Sequence, residues 1–358
     1  MLAYDGNWSR LTPRVYRREP ALDDGQRWHE HDFAGLRRLC VQPITFTPYA
    51  ASAACSARCR FCSENLELAG QGRRAAQLRP GPRYFDWLER ALRALHGLPL
   101  SYSLSGLETS DDPDWMLCML ERLDQASRQG VPVDNRVLYS NGAGFAGPRG
   151  AELIEALRRF RLSWVELSRH HQDAAINQQL MRFRPGIAAA EAAPYEQSLQ
   201  SLREALPVKL VCIVQQGGVA CASAVRDYLA WAAAQGVDCV IFREFSHLTA
   251  DYRRNGTARY IDAARVSVED LLADCLAQSD LAATLQPLER TRGYYFHNLR
   301  LRHASGMEVV FEVSDYARMH QKHDSERVYK LVFFPDGKLC GDWHPQHNLL
   351  LDCADGQQ

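Results

Sequence analysis

The eight residues Cys55-Ser56-Ala57-Arg58-Cys59-Arg60-Phe61-Cys62 decide the reading of this chain. They space three thiols as C-x3-C-x2-C on one short loop, with an aromatic ring just before the last. Three thiolates this close can ligate one metal centre. Zinc asks for a fourth ligand at a conventional spacing, usually from a second C-x2-C knuckle, and the sequence has none. Three cysteines suit a four-iron cluster with one iron left open. The remaining cysteines, at 40, 118, 212, 221, 239, 275, 340 and 353, are scattered, and the total of 11 is odd. A disulfide framework is therefore not expected, and isolated residues such as Cys118, Cys212, Cys239 and Cys275 read as small core side chains.

Working outward from the loop, strands and helices alternate. Residues 41–47 read as a strand that ends shortly before the cysteines. A helix follows over 84–96, with Phe85, Leu88, Leu92 and Leu95 on one stripe. Leu100, Tyr102 and Leu104 alternate as a second strand. Asp112-Pro113 reads as a cap and first helical residue of a helix that stops at Gly130. Strands over 137–139, 164–168, 209–214 and 238–243 alternate with helices over 149–160, 190–204 and 223–235, and a helix over 267–278 closes the series. About six βα units in a row require parallel strands with helical crossovers. The pattern alone fits a doubly wound sheet or a partial barrel. From about 290 onward the texture changes to strands over 294–301, 307–313 and 328–334, with a turn at Pro335-Asp336-Gly337. Residues 1–40 read as a polar, irregular extension.

Length and charge narrow the function classes. The 358 residues carry 42 basic and 43 acidic side chains, a net charge of −1. No basic patch points to nucleic acid. No apolar run reaches the roughly 20 residues of a membrane span. The first eight residues do not read as a secretory signal. The expected compartment is the cytoplasm.

The cysteine loop resembles the signature of the radical S-adenosylmethionine (radical SAM) superfamily, C-x3-C-x-Φ-C after the first strand of a partial (βα)6 barrel. Cys55, Cys59, Phe61 and Cys62 match it in full. Leu104-Ser105-Gly106-Leu107-Glu108 resembles the family's G-G-E element, with Leu107 in place of the middle glycine. Tyr139-Ser140-Asn141-Gly142 resembles its S/T-N-G element. Glu166-Leu167-Ser168-Arg169-His170-His171 stands at the fourth strand end, where the family often places a serine near the cofactor. Val240-Ile241-Phe242-Arg243-Glu244 is similar to the barrel end of the molybdopterin-precursor cyclase and SPASM-like branches.

The resemblance implies an α/β fold: a partial (βα)6 barrel over 41–285, the extension over 1–40 and a small β-rich cap over 286–358. It implies a 4Fe-4S cluster on Cys55, Cys59 and Cys62. It implies S-adenosylmethionine held by Phe61, Ser105, Gly106, Glu108, Asn141, Ser168 and Arg169. His170, His171, Arg243 and Glu244, at strand ends, become candidate catalytic or substrate-holding groups. The tail offers only Cys340 and Cys353, so the auxiliary cluster of those branches is not expected. The expected activity is reductive cleavage of S-adenosylmethionine and hydrogen abstraction from a small biosynthetic molecule. A ribosomally made peptide is the alternative substrate, and a non-catalytic iron–sulfur redox sensor the alternative class. The expected partners are that substrate and an electron donor such as flavodoxin or ferredoxin.

Overall fold

The computed structural model describes residues 8, 10–12, 16–18, 27–49, 51–69 and 75–354. Its strands are β1 (Tyr16–Arg18), β2 (Trp28–Phe33), β3 (Leu36–Pro48), β4 (Leu100–Leu104), β5 (Val133–Ser140), β6 (Trp164–Ser168), β7 (Val208–Ile213), β8 (Cys239–Arg243), β9 (Leu285–Arg292), β10 (Phe296–His303), β11 (Glu308–Ser314), β12 (Arg327–Phe333), β13 (Lys338–Cys340) and β14 (Leu349–Asp352). Its α-helices are α1 (Tyr84–Ala94), α2 (Pro113–Arg128), α3 (Gly150–Arg159), α4 (Ala174–Met181), α5 (Ala192–Ala205), α6 (Ala222–Ala234), α7 (Gly256–Ala264), α8 (Val268–Ala277), α9 (Ser279–Ala282) and α10 (Tyr316–His323). None is long and apolar enough to cross a membrane.

Strands β3 to β8 pair in chain order, each parallel to the next. This mixed α/β architecture around a parallel sheet is the one the βα alternation predicts. Local chemistry sets the boundaries. Asp112 caps α2 by accepting the Trp115 N–H at 3.1 Å, one residue before the proline that opens the helix. The sequence reading misses α4, α7, α9 and α10, all short. Asp173 and Asn255 cap the N-termini of α4 and α7.

Two differences change the picture of the flanks. Residues 28–40 are not irregular: β2 and the start of β3 form a hairpin through Ala34 and Gly35, both at positive φ. The C-terminal strands do not form a separate sheet either. Strand β11 continues the parallel sheet beyond β8, and β12 joins the opposite edge, parallel to β3. The order is β1-β9-β10-β11-β8-β7-β6-β5-β4-β3-β12-β13-β14, with β2 also on β3.

That order requires curvature. From β11 to β12 the sheet takes seven steps, β11-β8-β7-β6-β5-β4-β3-β12, roughly 34 Å across if flat, at about 4.8 Å per strand. Residues 315–326 join these two strands, and α10 takes up most of the link. An eight-residue helix and a few extended residues reach about 30 Å at most. The link must also run back along a strand length, because both strands are parallel to the central six. It can do so only if the sheet curls and brings its edges together.

Alternation then sorts the side chains. Leu138, Val165, Leu167, Leu210, Val240, Phe242 and Phe311 face outward into the main apolar cluster with the helices. Tyr139, Glu166, Lys209, Arg243 and Glu312 take the alternate positions and face inward. The register aligns Tyr139 with Glu166, Glu166 with Lys209, and Arg243 with Glu312. The main core lies between sheet and helices, and the inner face carries these polar groups beside a small apolar cluster of Val211, Cys239, Ile241 and Val310.

Candidate active site

The cysteine loop follows the C-terminal end of β3. Its three thiols are free and partly buried. Burial, with nearby Glu108 second, pushes the Cys55 thiol up to about 12. Burial, with Glu64 second, does the same to Cys62. Cys59 is pushed well up by burial and by its two partner thiols. Three thiols are thus crowded in a niche that disfavours their charged form, which bound cations would relieve as protons leave. Among the described residues, no three His, Cys, Asp or Glu side chains are gathered so as to hold one metal ion. A cluster ligated iron by iron does not need such convergence. The soft all-sulfur donor set fits an iron–sulfur centre.

The other strand ends meet this loop. The Asn141 amide donates to Ser56 Oγ at 3.0 Å and to Cys55 Sγ at 3.6 Å. Asn141 also accepts the Ala143 N–H at 2.8 Å, which shapes the turn into Gly142. Asp111 accepts the Ser56 N–H at 2.6 Å. Glu108 ties the β4 and β5 ends together. One carboxylate oxygen takes the Ser110 hydroxyl (2.6 Å), the Ser110 N–H (3.2 Å) and the Ser140 hydroxyl (3.0 Å). The other takes the Asn141 N–H at 2.5 Å. Four donors would favour the carboxylate, yet burial and neighbouring Asp111 outweigh them and raise Glu108 to about 7.

Gly106 is at φ +93°, and a Cβ there would fall 2.3 Å from the Tyr49 ring. Leu107, where the resemblance expects glycine, also has a positive φ of 56°. The left-handed turn survives the exchange, at a cost of about 1–2 kcal/mol. Ser105 lies next to it, its hydroxyl 3.2 Å from that of Ser103. Tyr49 packs on this turn and shares a hydrogen bond with Glu64, two residues past Cys62.

Phe61, the aromatic of the motif, stands edge-on to His170 with ring centroids 4.9 Å apart. His170 is buried. Its Nδ1 accepts the Ile213 N–H at 3.0 Å, which leaves the proton of the neutral ring on Nε2. Burial, with Arg169 and Arg243 behind it, lowers its pKa to about 3. His171 is half-buried, and its Nδ1 accepts the Asp173 N–H at 3.0 Å, at the start of α4. Ser168 ends β6 on the inner face, in register with Val211.

Two expected site residues point elsewhere. Arg169 is fully buried between α5 and α6, 4.5 Å over the Tyr195 ring and 5.8 Å from that of Trp231. Glu244 is buried outside the sheet, paired with Arg265 and accepting the Val268 N–H at 2.8 Å. Strand alternation is the reason. Arg243 takes the inner position, and its neighbour in sequence takes the outer one.

Arg243 pairs on the inner face with Glu312 and with Glu166, the latter at 3.3 Å. Burial alone would lower its pKa, but the two carboxylates hold it above the usual range. Sequence reasoning had not assigned the carboxylates to the site. Their signal was a lone glutamate within an apolar strand, Val165-Glu166-Leu167 and Phe311-Glu312-Val313. Buried Tyr295 and half-buried Tyr139 and Tyr316 lie close enough to this group for their charges to interact with it. Cys340 and Cys353 lie apart, in two different apolar clusters.

The solved structures that this chain is similar to are distant in sequence. Native anSMEcpe with bound AdoMet is 14% identical, over 56% of this chain and 51% of that one, with a TM-score of 0.43. SuiB of Streptococcus suis bound to precursor peptide SuiA is 11% identical over 84% and 59%, with a TM-score of 0.46. Coproporphyrinogen III oxidase (HemN) of Escherichia coli, described as a radical SAM enzyme, is 13% identical over 73% and 67%, with a TM-score of 0.42. This chain spans about half the length of the first of these structures. No family profile and no curated protein matches it.

Proposed function

We propose that this protein is a radical SAM enzyme acting on a small polar molecule. The observation that supports it most is the meeting of three sequence-distant motifs. The cysteine loop, the Gly106–Glu108 turn and the Asn141–Gly142 turn are joined through Asn141, which bonds to Ser56 and Cys55 while Glu108 holds its backbone. A structural loop of three cysteines needs no such mesh, and neither does a redox sensor.

In this reading Cys55, Cys59 and Cys62 hold a 4Fe-4S cluster. That cluster would supply one electron to S-adenosylmethionine, whose C5′–S bond breaks to leave a 5′-deoxyadenosyl radical that takes a hydrogen atom from substrate. The chain's own residues do the rest. Asn141 orients the Cys55 sulfur. Glu108 positions the turns that present Ser105, Gly106 and Asn141 to the cofactor. Phe61 and His170 close the side of the site beneath the cysteine loop. Ser168, on the inner face, is available to the ribose or carboxylate. Arg243, flanked by Glu166 and Glu312, offers substrate a polar wall that can exchange partners. Tyr295 and Tyr316 exclude water. The enclosed, charged inner face favours a small molecule over an extended peptide.

Anaerobic reconstitution followed by dithionite and S-adenosylmethionine tests the reading. Formation of 5′-deoxyadenosine is expected, and it should vanish when the three cysteines are replaced by alanine. Equal nucleoside yield from the triple variant would refute the proposal.

A further inference from the structure

Lys330 has no part in the site as described. It lies on β12, in register with Thr45 of β3, and turns away from the α1 helix that packs on its neighbour Phe333 through Tyr84. It is buried, 6% exposed. Among the described residues it has no carboxylate partner and no hydrogen bond. Its amine sits instead over the face of Trp343, 3.8 Å from the ring centre. Thr47, the next residue of β3 on the same face, has a fully buried hydroxyl without a hydrogen-bond partner. Trp343 in turn stands edge-on to Tyr49, with centroids 6.4 Å apart, and Tyr49 bonds to Glu64 beside Cys62. The amine is therefore two aromatic rings from the cysteine loop.

The choice of lysine is informative. Of 42 basic residues only four are lysines, Lys209, Lys322, Lys330 and Lys338, and 42 − 4 leaves 38 arginines. The other three lysines are each accounted for: Lys209 lies 3.9 Å over the Trp164 ring, Lys322 lies 5.6 Å over Tyr329, and Lys338 pairs with Asp336 at 3.6 Å. Arginine cannot lose its proton in a protein, whereas a buried lysine can. An unpaired ammonium in an apolar niche is more costly than the neutral amine. Burial alone lowers Lys330 to about 7. A neutral amine near physiological pH is a nucleophile.

We propose that Lys330 is a reactive amine that takes up a carbonyl compound in this niche as an imine. The nitrogen lone pair adds to the carbonyl carbon, a proton moves to the oxygen, and loss of one water leaves the C=N bond. No electron is gained or lost. The Thr47 hydroxyl is placed on the same face to donate to the departing oxygen. This inference extends the proposed site to a carbonyl-bearing substrate, but the chemistry itself needs neither cluster nor S-adenosylmethionine.

The test is trapping. The full-length protein, with and without reconstituted cluster, is incubated with glyoxylate at pH 7, reduced with borohydride and mapped by peptide mass spectrometry. Lys330 is expected to carry the carboxymethyl adduct at least tenfold faster than Lys322 or Lys338. Glyoxylate-free controls and Lys330→Arg should lack it. Modification of Lys322 and Lys338 with Lys330 untouched would overturn the proposal, as would an unmodified Lys330 that merely pairs with the glyoxylate anion. Lysine labelled with 13C at Cε offers a second readout on the unaltered chain, since only four resonances need assigning. A Lys330 signal that titrates with the other three would also overturn it. Trapping that succeeds in a protein unable to cleave S-adenosylmethionine would separate this inference from the radical chemistry.

Discussion

The two walls of the inner face are built from different materials. At the ends of β3, β4 and β5 the groups are thiols, hydroxyls, amides and carboxylates, Glu108 among them taking four donors. Across the sheet, on β6, β8 and β11, the groups are full charges: one guanidinium between two carboxylates. The first wall is a mesh of directional hydrogen bonds, which in the proposed function would hold a cofactor in one pose. The second is held by less directional forces, and a guanidinium can trade one carboxylate for another at modest cost. A fixed cofactor and a variable substrate ask for these two kinds of wall.

The sharpest way to break this comparison is to remove a thiol. Cys59→Ala is expected to abolish cluster binding and nucleoside formation, read by iron content and mass spectrometry, while the charged wall keeps the fold and its melting transition. Arg243→Met attacks the other wall. It strands two buried carboxylates and should cost about 3–5 kcal/mol in denaturant unfolding. Cluster loading of the protein that remains folded should persist. Gly106→Ala drives a Cβ into the Tyr49 ring at a positive φ, with an expected loss of about 2–4 kcal/mol. Asn141→Ala removes the bonds to Ser56 and Cys55. At about 1 kcal/mol for each of these two bonds, a fall of up to about thirtyfold in 5′-deoxyadenosine yield is expected, with a stability loss of about 2 kcal/mol or less.

The smallest effect is in pH. His170 titrates lower folded, about 3, than unfolded, about 6.5. The unfolded chain therefore binds the extra proton, and stability falls as pH drops from about 6.5 toward 3. Glu108 opposes this. Raised to about 7, it favours the folded state increasingly as pH falls from about 7 to 4.3. Glu108→Gln should steepen the acid loss. An unchanged or shallower slope would mean that Glu108 does not carry this opposing contribution.

Much of this was legible beforehand, for local reasons. Strands β4 and β6 match the predicted ranges residue for residue, because period-two alternation in apolar segments leaves little choice. The cysteine loop and the Gly106 and Asn141 turns are contiguous motifs, visible without knowing what they touch. The Glu166–Arg243–Glu312 group was not, since register across three strands brings it together. Arg169 and Glu244 were misjudged by one step of alternation. The hairpin over 28–40 was hidden by polar residues such as His29, Glu30, His31 and Asp32, whose strand sits half exposed. The edge partners β11 and β12 escaped because parallel pairing with a strand some 280 residues earlier, in the case of β12 on β3, leaves no local trace.

That last pairing has a consequence for how the protein is made. Synthesis runs from the N-terminus, so β3 and the cysteine loop emerge well before β12, Tyr316 and Trp343. Until then β3 lacks its partner along one edge. The strand that completes this edge of the sheet is therefore among the later parts to form.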